Sequence, residues 1–163
     1  EAQAAYRKAI ELDSTYANPR NNLGNLLAKQ PERADEAEAA YRKAIELDST
    51  YAAPWYNLGL LLSQQPERTD EAEAAYRKAI ELDPEDGLAH GNLGQLLLDR
   101  GDLEAAGPEL QRAITLDAKY RKYWQAQLHQ LHARRGAIAA TRALGAGSFA
   151  ETRAALEKLL VAL

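Results

Sequence analysis

The stretch EAEAAYRKAIELD occupies Glu36–Asp48 and returns letter for letter at Glu71–Asp83. A third copy, EAQAAYRKAIELD, opens the chain and differs only at Gln3. Self-similarity at a fixed spacing is typical of repeat proteins, in which each unit packs mainly against its neighbours. Equivalent tyrosines recur every 35 residues, at Tyr6, Tyr41 and Tyr76.

Each repeat is predicted to contain two helices. In the second helix Tyr41, Ala44, Ile45 and Leu47 fall at helical spacing and form one apolar stripe. Capping boxes at Asp35-x-x-Glu38 and Asp70-x-x-Glu73 are predicted to start this helix. A first helix precedes it, with Pro19 or Pro54 in its first turn. Because one pair cannot bury its stripe alone, we expect the pairs to stack.

The composition limits the function classes. The chain has 163 residues, of which 46% are hydrophobic and 27% charged, so we expect a folded protein. Cysteine is absent, which excludes disulfides, cysteine-ligated zinc and thiol catalysis. No apolar run approaches the roughly 20 residues of a membrane span, and no secretory leader is visible. We therefore expect no membrane association and a cytoplasmic location. Since Glu1 falls inside a repeated unit, we also expect a fragment of a longer protein.

These repeats resemble the tetratricopeptide repeat (TPR) family. Trp55-Tyr56-Asn57-Leu58-Gly59 is similar to the family's first-helix signature, and Ala72, Tyr76, Ala79 and Pro84 are similar to its second-helix and terminating positions. The resemblance implies an all-α fold, a right-handed superhelical α-solenoid of antiparallel helix pairs. It also implies that glycine and alanine allow close helix contact, while the aromatic residue fills the gap to the next repeat. The expected boundaries are full repeats at 17–51, 52–86 and 87–120, after the second helix of a truncated repeat at 1–16.

Several positions depart from the family pattern. The first two full repeats exceed the usual length of roughly 34 residues by one, within QPERAD and QPERTD. Arg20 stands where a large aromatic residue is expected, and Ser49 and Ala118 replace the terminating proline. Gly107-Pro108 lies within the second helix of the third repeat. Because an interior proline costs about 3 kcal/mol, we expect a kink or a late helix start there.

Residues 121–163 are predicted to form a degenerate repeat that caps the stack. Trp124 and Leu131 are expected to face inward on its first helix. Ser148–Glu151 reads as a capping box that opens a last helix. Its apolar stripe would contain Phe149, Leu156, Leu159, Leu160 and Leu163. Open-ended stacks need such caps for solubility.

Motifs of catalysis were not found. The sequence has no Gly-x-Ser-x-Gly elbow and no glycine-rich loop that would hold a phosphate. His129 and His132 are three apart on a predicted helix, but two ligands without a third do not predict a metal site. We therefore predict no enzyme activity, no cofactor and no metal.

The TPR resemblance implies a peptide-binding groove. In the family the first helices line the concave face, and the residue before each Leu-Gly pair points into it. That residue is Asn in every full repeat, at Asn22, Asn57 and Asn92. An amide can donate to and accept from a peptide bond of any sequence. Six further positions are expected to flank these residues and to give a neutral groove: Asn21, Asn25, Tyr56, Leu60, Leu88 and Gln95.

The ligand class can be narrowed from the same positions. The clamp that TPR co-chaperones use for a terminal carboxylate needs Lys and Arg on successive first helices. Asn21, Leu88 and Asn92 stand at those places, so such a chaperone ligand is not expected. A 35-residue period also suggests pentatricopeptide repeats, which bind RNA. Residues 1–117 hold 22 acids and 12 bases, a net charge of −10, which argues against RNA.

The remaining alternatives concern other partners. Residues 118–150 contain no acid but six bases, and Lys119, Arg121 and Lys122 precede Tyr123 and Trp124, a mixture also found on nucleic-acid surfaces. We favour a protein or peptide partner, and nucleic acid is the less favoured hypothesis. Further alternatives are a structural or self-assembly element, and a targeting arm of an enzyme whose catalytic domain lies elsewhere.

Self-association is also expected. The helix at the start of the chain has no first helix of its own to cover part of its apolar stripe. Another copy could cover this N-terminal edge. The stripe contains Tyr6, Ala9, Ile10 and Leu12.

Overall fold

The computed structural model describes residues 1–145, 153–154 and 157–158. Within these residues the chain forms eight α-helices and two 3-10 turns and contains no strand. The helices are α1 (Ala2–Leu12), α2 (Ala17–Leu27), α3 (Ala34–Leu47), α4 (Ala52–Leu62), α5 (Thr69–Leu82), α6 (Gly87–Arg100), α7 (Leu103–Leu116) and α8 (Arg121–Gly145). The 3-10 turns cover Pro31–Arg33 and Pro66–Arg68. The predicted capping box at Ser148 and the leucine stripe after it lie outside the described residues.

The predicted all-α solenoid fold is confirmed, and the chain divides into two compact units. Unit 1 is Glu1–Ala89 and unit 2 is His90–Leu163. In unit 1, α2 packs against α3 and α4 against α5, as the two helices of one repeat. Contacts between α1 and α2 and between α3 and α4 join successive repeats.

Each helix pair in unit 1 closes around one glycine and one tyrosine. A Cβ added at Gly24 would lie 2.5 Å from Cε1 of Tyr41, and one added at Gly59 would lie 2.8 Å from Cδ1 of Tyr76. The aromatic residue thus packs on the glycine of its own repeat, in addition to any contact with the next one. Close approach is helped by fully buried alanines on the second helices, Ala37, Ala44, Ala72 and Ala79.

The predicted capping boxes are wrong. Helices α3 and α5 begin at Ala34 and Thr69, with Arg33 and Arg68 as their N-caps and no side-chain cap. Asp35 and Asp70 therefore lie inside the first turn, where an acidic side chain still favours the helix dipole. The reason is the 3-10 turn Pro-Glu-Arg, which contains the additional residue of each 35-residue repeat and starts the helix early.

In unit 2, α7 packs against α8. A Cβ at Gly94 would lie 2.8 Å from Cγ of Leu110, and Gly91 lies against the indole of Trp124. Trp124 and Leu131 are buried, as the sequence predicts. In unit 2, too, glycine residues allow the helices to approach closely.

The expected late start of the helix at Gly107-Pro108 is also wrong. Helix α7 begins at Leu103 and includes Pro108 in its interior. Asp102 caps the helix by accepting from the Ala105 N–H at 3.1 Å. Pro108 lies on the exposed side, where water can satisfy the Glu104 carbonyl that loses its donor.

Candidate functional site

The first helices of unit 1 are nearly free of charge. Helices α2 and α4 together contain one charged residue, Arg20, whose guanidinium donates to the Ser14 carbonyl at 3.2 Å. The second helices carry the charges instead, in pairs such as Glu38–Arg42 and Glu73–Arg77. The sequence therefore separates a neutral surface on α2 and α4, here called the first-helix surface, from charged helices.

A chain of amide hydrogen bonds links α2 and α4. Asn57 Nδ2 donates to Asn21 Oδ1 at 2.9 Å, and Asn22 Nδ2 donates to Asn18 Oδ1 at 2.8 Å. Both branches end on the Tyr51 hydroxyl, which accepts from Asn18 at 3.3 Å and from Asn21 at 3.5 Å. The network fixes the orientation of the two amides that the sequence predicts to bind a peptide.

Asn22 and Asn57 retain hydrogen-bonding capacity. Both side chains are half-buried, and each donates one amide hydrogen to the bond just described. An amide has two donor hydrogens and two acceptor lone pairs, so one donor and the Oδ1 of each remain for a ligand. Each amide can therefore donate to the C=O and accept from the N–H of a peptide backbone.

Two residues expected to flank the groove have structural partners. Asn21 is 3% exposed and holds the Asn57 amide. Asn25 Oδ1 accepts from the Tyr41 hydroxyl at 2.9 Å, a bond within the repeat. Both side chains therefore contribute to helix packing as well as to the first-helix surface.

Aromatic and apolar side chains lie next to the amides on α4. The ring centroid of Tyr56 is 6.1 Å from that of Tyr76, with the planes tilted by 49°. Leu60, one turn after Tyr56, is 40% exposed. Burial raises the pKa of Tyr41 and of Tyr76 to about 12, so both hydroxyls stay protonated and can donate.

Of the predicted residues of α6, Asn92 and Gln95 lie in unit 2 and Leu88 lies in unit 1. Asn92 is half-buried, and Gln95 Nε2 donates to Asp99 Oδ1 at 3.0 Å. One turn of the helix before Gly94, His90 Nδ1 lies 2.6 Å from Glu109 Oε2. This first helix thus carries three ionisable side chains, His90, Asp99 and Arg100, whereas α2 carries only Arg20 and α4 carries none.

Much of the basic segment in unit 2 binds backbone carbonyls. Arg134 donates to the Leu98 carbonyl at 2.6 Å, Arg135 to Leu103 at 2.7 Å, and Arg121 to Ile114 at 3.1 Å. Leu98 and Ile114 lie in the last turns of α6 and α7, where carbonyls lack helical donors, and Arg135 also pairs with Glu104 at 3.0 Å. These contacts account for half of the six bases without nucleic acid. Lys119 lies over the ring of Tyr120 at 4.9 Å.

His129 and His132 are exposed on α8. In the part of the chain that the structure describes, no group of three His, Cys, Asp or Glu side chains could hold a metal ion. The helices of that part are also too short or too polar to cross a membrane.

Sequence reasoning missed Asn18 and Tyr51 as members of the network. A signal was present, because the tripeptide Ser-Thr-Tyr ends the repeat at both Tyr16 and Tyr51. The bonds themselves depend on how α2 and α4 are rotated about their axes, which the period alone does not give.

Comparisons with known proteins match this architecture. Residues 56–121 match a family profile described as tetratricopeptide repeat, and residues 1–30 and 32–65 match a second profile described as TPR repeat. No curated protein matches the chain.

Solved structures share the fold. The crystal structure of YrrB, described as a TPR protein with an unusual peptide-binding site, superposes with a TM-score of 0.74 and 26% identity. The match covers 97% of this chain and 92% of YrrB. Two crystal structures of MamA superpose with TM-scores of 0.69 and 0.68, both at 20% identity. Those matches cover 98% of this chain and 85% and 80% of MamA.

Proposed function

Because the chain belongs to the tetratricopeptide repeat family, a non-catalytic scaffold fold, we propose that it is a protein-interaction scaffold that binds an extended peptide segment. The segment lies on the first-helix surface of unit 1, where Asn22 and Asn57 bind its backbone. Asn92 is the equivalent residue on α6. YrrB, similar in fold and 26% identical, is described as having a peptide-binding site, which supports this class of ligand.

The observation that carries the proposal is the orientation of two amides on a neutral surface. Asn22 and Asn57 are each fixed by one donated bond, at 2.8 and 2.9 Å, and keep a donor and an acceptor. Each further bond to a peptide group contributes about 0.5–1.5 kcal/mol net. A preorganised amide loses less side-chain entropy when the ligand binds. Because these bonds are made to the peptide backbone, they do not depend on the sequence of the ligand.

The experiment compares Asn22→Ala with Asn18→Ala. Both variants remove the same Asn22–Asn18 hydrogen bond, but only the first removes the amide proposed to meet the peptide. Capture of peptides from a random displayed library should fall strongly for Asn22→Ala, and less for Asn18→Ala, which loses the orienting bond but keeps the Asn22 amide. Equal capture by Asn22→Ala and the unmodified chain would contradict the role of Asn22.

A second candidate function is self-association through the N-terminal edge. Leu12 is 77% exposed and Tyr16 is 56% exposed, whereas the equivalent Leu47 and Tyr51 are half-buried. Helix α2 covers Tyr51, because Asn18 and Asn21 donate to the Tyr51 hydroxyl. A second copy that covered Leu12 and Tyr16 would gain about 1.5–3 kcal/mol for each large side chain fully buried.

Sedimentation velocity over a wide concentration range tests this candidate. The unmodified chain should show a larger mass as concentration rises, and Leu12→Ser with Tyr16→Ser should remain monomeric. Tyr123→Ser changes a side chain of similar exposure in unit 2 and should behave like the unmodified chain. A monomeric mass for the unmodified chain at every concentration would contradict self-association through this edge.

A further inference from the structure

The first two full repeats differ mainly in their first helices. Helices α3 and α5 are identical over 14 residues except at the first, where Ala34 is replaced by Thr69. Helices α2 and α4 differ at four of eleven positions, and each difference replaces a polar side chain by alanine, an aromatic residue or leucine. The pairs are Asn18 and Ala53, Arg20 and Trp55, Asn21 and Tyr56, and Asn25 and Leu60.

The change from Asn25 to Leu60 removes a hydrogen bond from the scaffold. In the first of these repeats Asn25 Oδ1 accepts from the Tyr41 hydroxyl at 2.9 Å. In the second, the equivalent Tyr76 hydroxyl has Ser63 Oγ as its partner, at 3.4 Å. That distance is long for a bond between two hydroxyl groups, so Tyr76 is less well satisfied than Tyr41.

The same change places a large apolar side chain in water. Leu60 is 40% exposed, while Trp55 and Tyr56 on the same helix are half-buried. Packing thus accounts for the two aromatic residues. Neither packing nor hydrogen bonding within the repeat accounts for Leu60, because leucine here weakens a bond and leaves apolar area uncovered.

Leu60 lies beside the amide that binds the proposed peptide. Asn57 and Leu60 are three residues apart on α4, and Tyr56 and Leu60 are four apart, so the three share one helix face. No charged side chain lies on α4, and Arg20 of α2 is bonded to the Ser14 carbonyl. A ligand on this face meets a neutral and partly apolar surface.

We propose that Leu60 determines specificity, and that the partner segment is an uncharged, extended peptide whose large apolar side chain packs on Leu60. This inference rests on the proposed function, since Asn57 and Asn22 bind the backbone of the same segment. The two first helices therefore contribute different contacts. Helix α2 provides amides alone, and α4 provides an amide together with an apolar subsite.

The test uses a displayed library of random dodecapeptides and three proteins: the unmodified chain, Leu60→Asn and Ile138→Asn. The first variant restores the residue of the preceding repeat, so Tyr76 gains an amide acceptor and the melting temperature should not fall. The second replaces an exposed aliphatic residue of α8, which is part of neither the first-helix surface nor the N-terminal edge. The unmodified chain and Ile138→Asn should enrich uncharged peptides with a leucine, isoleucine or aromatic residue at one position.

Binding of an enriched peptide is then measured by titration calorimetry. Leu60→Asn should weaken its Kd by about tenfold or more, and Ile138→Asn should leave it unchanged. Unchanged affinity in Leu60→Asn, or enrichment of charged peptides by the unmodified chain, would overturn this inference and leave the proposed function standing. Failure of the unmodified chain to enrich any peptide would overturn both.

Discussion

Arg68 donates to both carboxylate oxygens of Glu38, 30 residues earlier in the chain, at 2.6 and 2.9 Å. The same guanidinium donates to Glu71 at 2.7 and 2.8 Å. Arg42 closes the ring, since it bonds Glu38 at 2.9 Å and Glu71 at 3.1 Å. The 3-10 turn Pro66–Arg68 thus ends on an arginine that joins one repeat to the next.

The first prediction concerns the pH dependence of this ring. The Arg68 hydrogen bond lowers the pKa of Glu71 to about 2 and also lowers the pKa of Glu38. A carboxylate whose pKa is lower in the folded state stabilises the fold above its unfolded pKa and ceases to do so as the pH falls through the folded pKa. The stabilisation should therefore be complete above about pH 4.5 and disappear towards pH 2.

Thermal melts of Arg68→Met should show this window. The variant should melt below the unmodified chain at neutral pH, and the two melting temperatures should converge as the pH falls from about 4.5 to about 2. Arg77→Met is the control, because Arg77 pairs with Glu73 inside a single helix and joins no second repeat. A difference between Arg68→Met and the unmodified chain that does not change with pH would contradict the explanation.

A second prediction follows from the copy of the ring at the N-terminal edge. Arg33 bonds Glu36 at 2.7 Å and Gln3 at 3.3 Å, and Gln3 stands where Glu38 stands in the next repeat. Gln3→Glu should complete a ring of alternating charge and slow hydrogen exchange of α1. Gln3→Met, of similar size but without charge, should not. The effect should weaken at high salt, as expected for exposed charges.

The third prediction concerns the glycine–tyrosine contact. Gly59→Leu should lower the free energy of unfolding by about 1–3 kcal/mol, because the added side chain would overlap the Tyr76 ring. Gln64→Leu introduces the same side chain at an exposed position and should change it by less than about 0.5 kcal/mol. Denaturant titration measures both. Equal stability of the two variants would mean that the helix pairing described for α4 and α5 is incorrect.

The fourth prediction concerns the contribution of the amide hydrogen bonds to stability. Asn57 donates to the Oδ1 of Asn21, which is buried. Asn57→Ala should therefore cost about 1–3 kcal/mol in unfolding free energy. Asn22→Ala should cost less, because its partner Asn18 is half-buried and water can replace the bond. Equal losses in the two variants would show that the Asn57–Asn21 bond stabilises the fold no more than the Asn22–Asn18 bond does.

The repeat period predicted the helix pairs, because these depend on positions that recur along the chain. The Gly59–Tyr76 contact was not predicted, since the family resemblance placed the aromatic residue in the gap to the next repeat. Helix starts were less predictable, since the 3-10 turn at Pro66–Arg68 competes with the capping box at Asp70. Sequence spacing also could not show that Asn57 bonds to Asn21. That bond depends on the relative rotation of α2 and α4, which packing of side chains such as Tyr51 determines.

Leu60 and Pro108 also depend on features that the sequence pattern does not show. The register of Leu60 predicts that it flanks the expected groove, but the register does not show that Tyr76 loses the acceptor that Asn25 provides to Tyr41. Pro108 was expected to kink α7 or to delay its start. The late start is wrong, because an N-cap at Asp102 and the exposed position of Pro108 allow the helix to begin at Leu103.

Side-chain NMR of the amide groups and leucine methyls, during titration with a peptide selected from the random library, tests the central claim most directly. We expect the amide signals of Asn22 and Asn57 and the methyl signals of Leu60 to shift together and to saturate at one peptide per chain. Signals from the charged second helices α3 and α5 should move little. Shifts confined to α3 and α5, with Asn22, Asn57 and Leu60 unchanged, would contradict it.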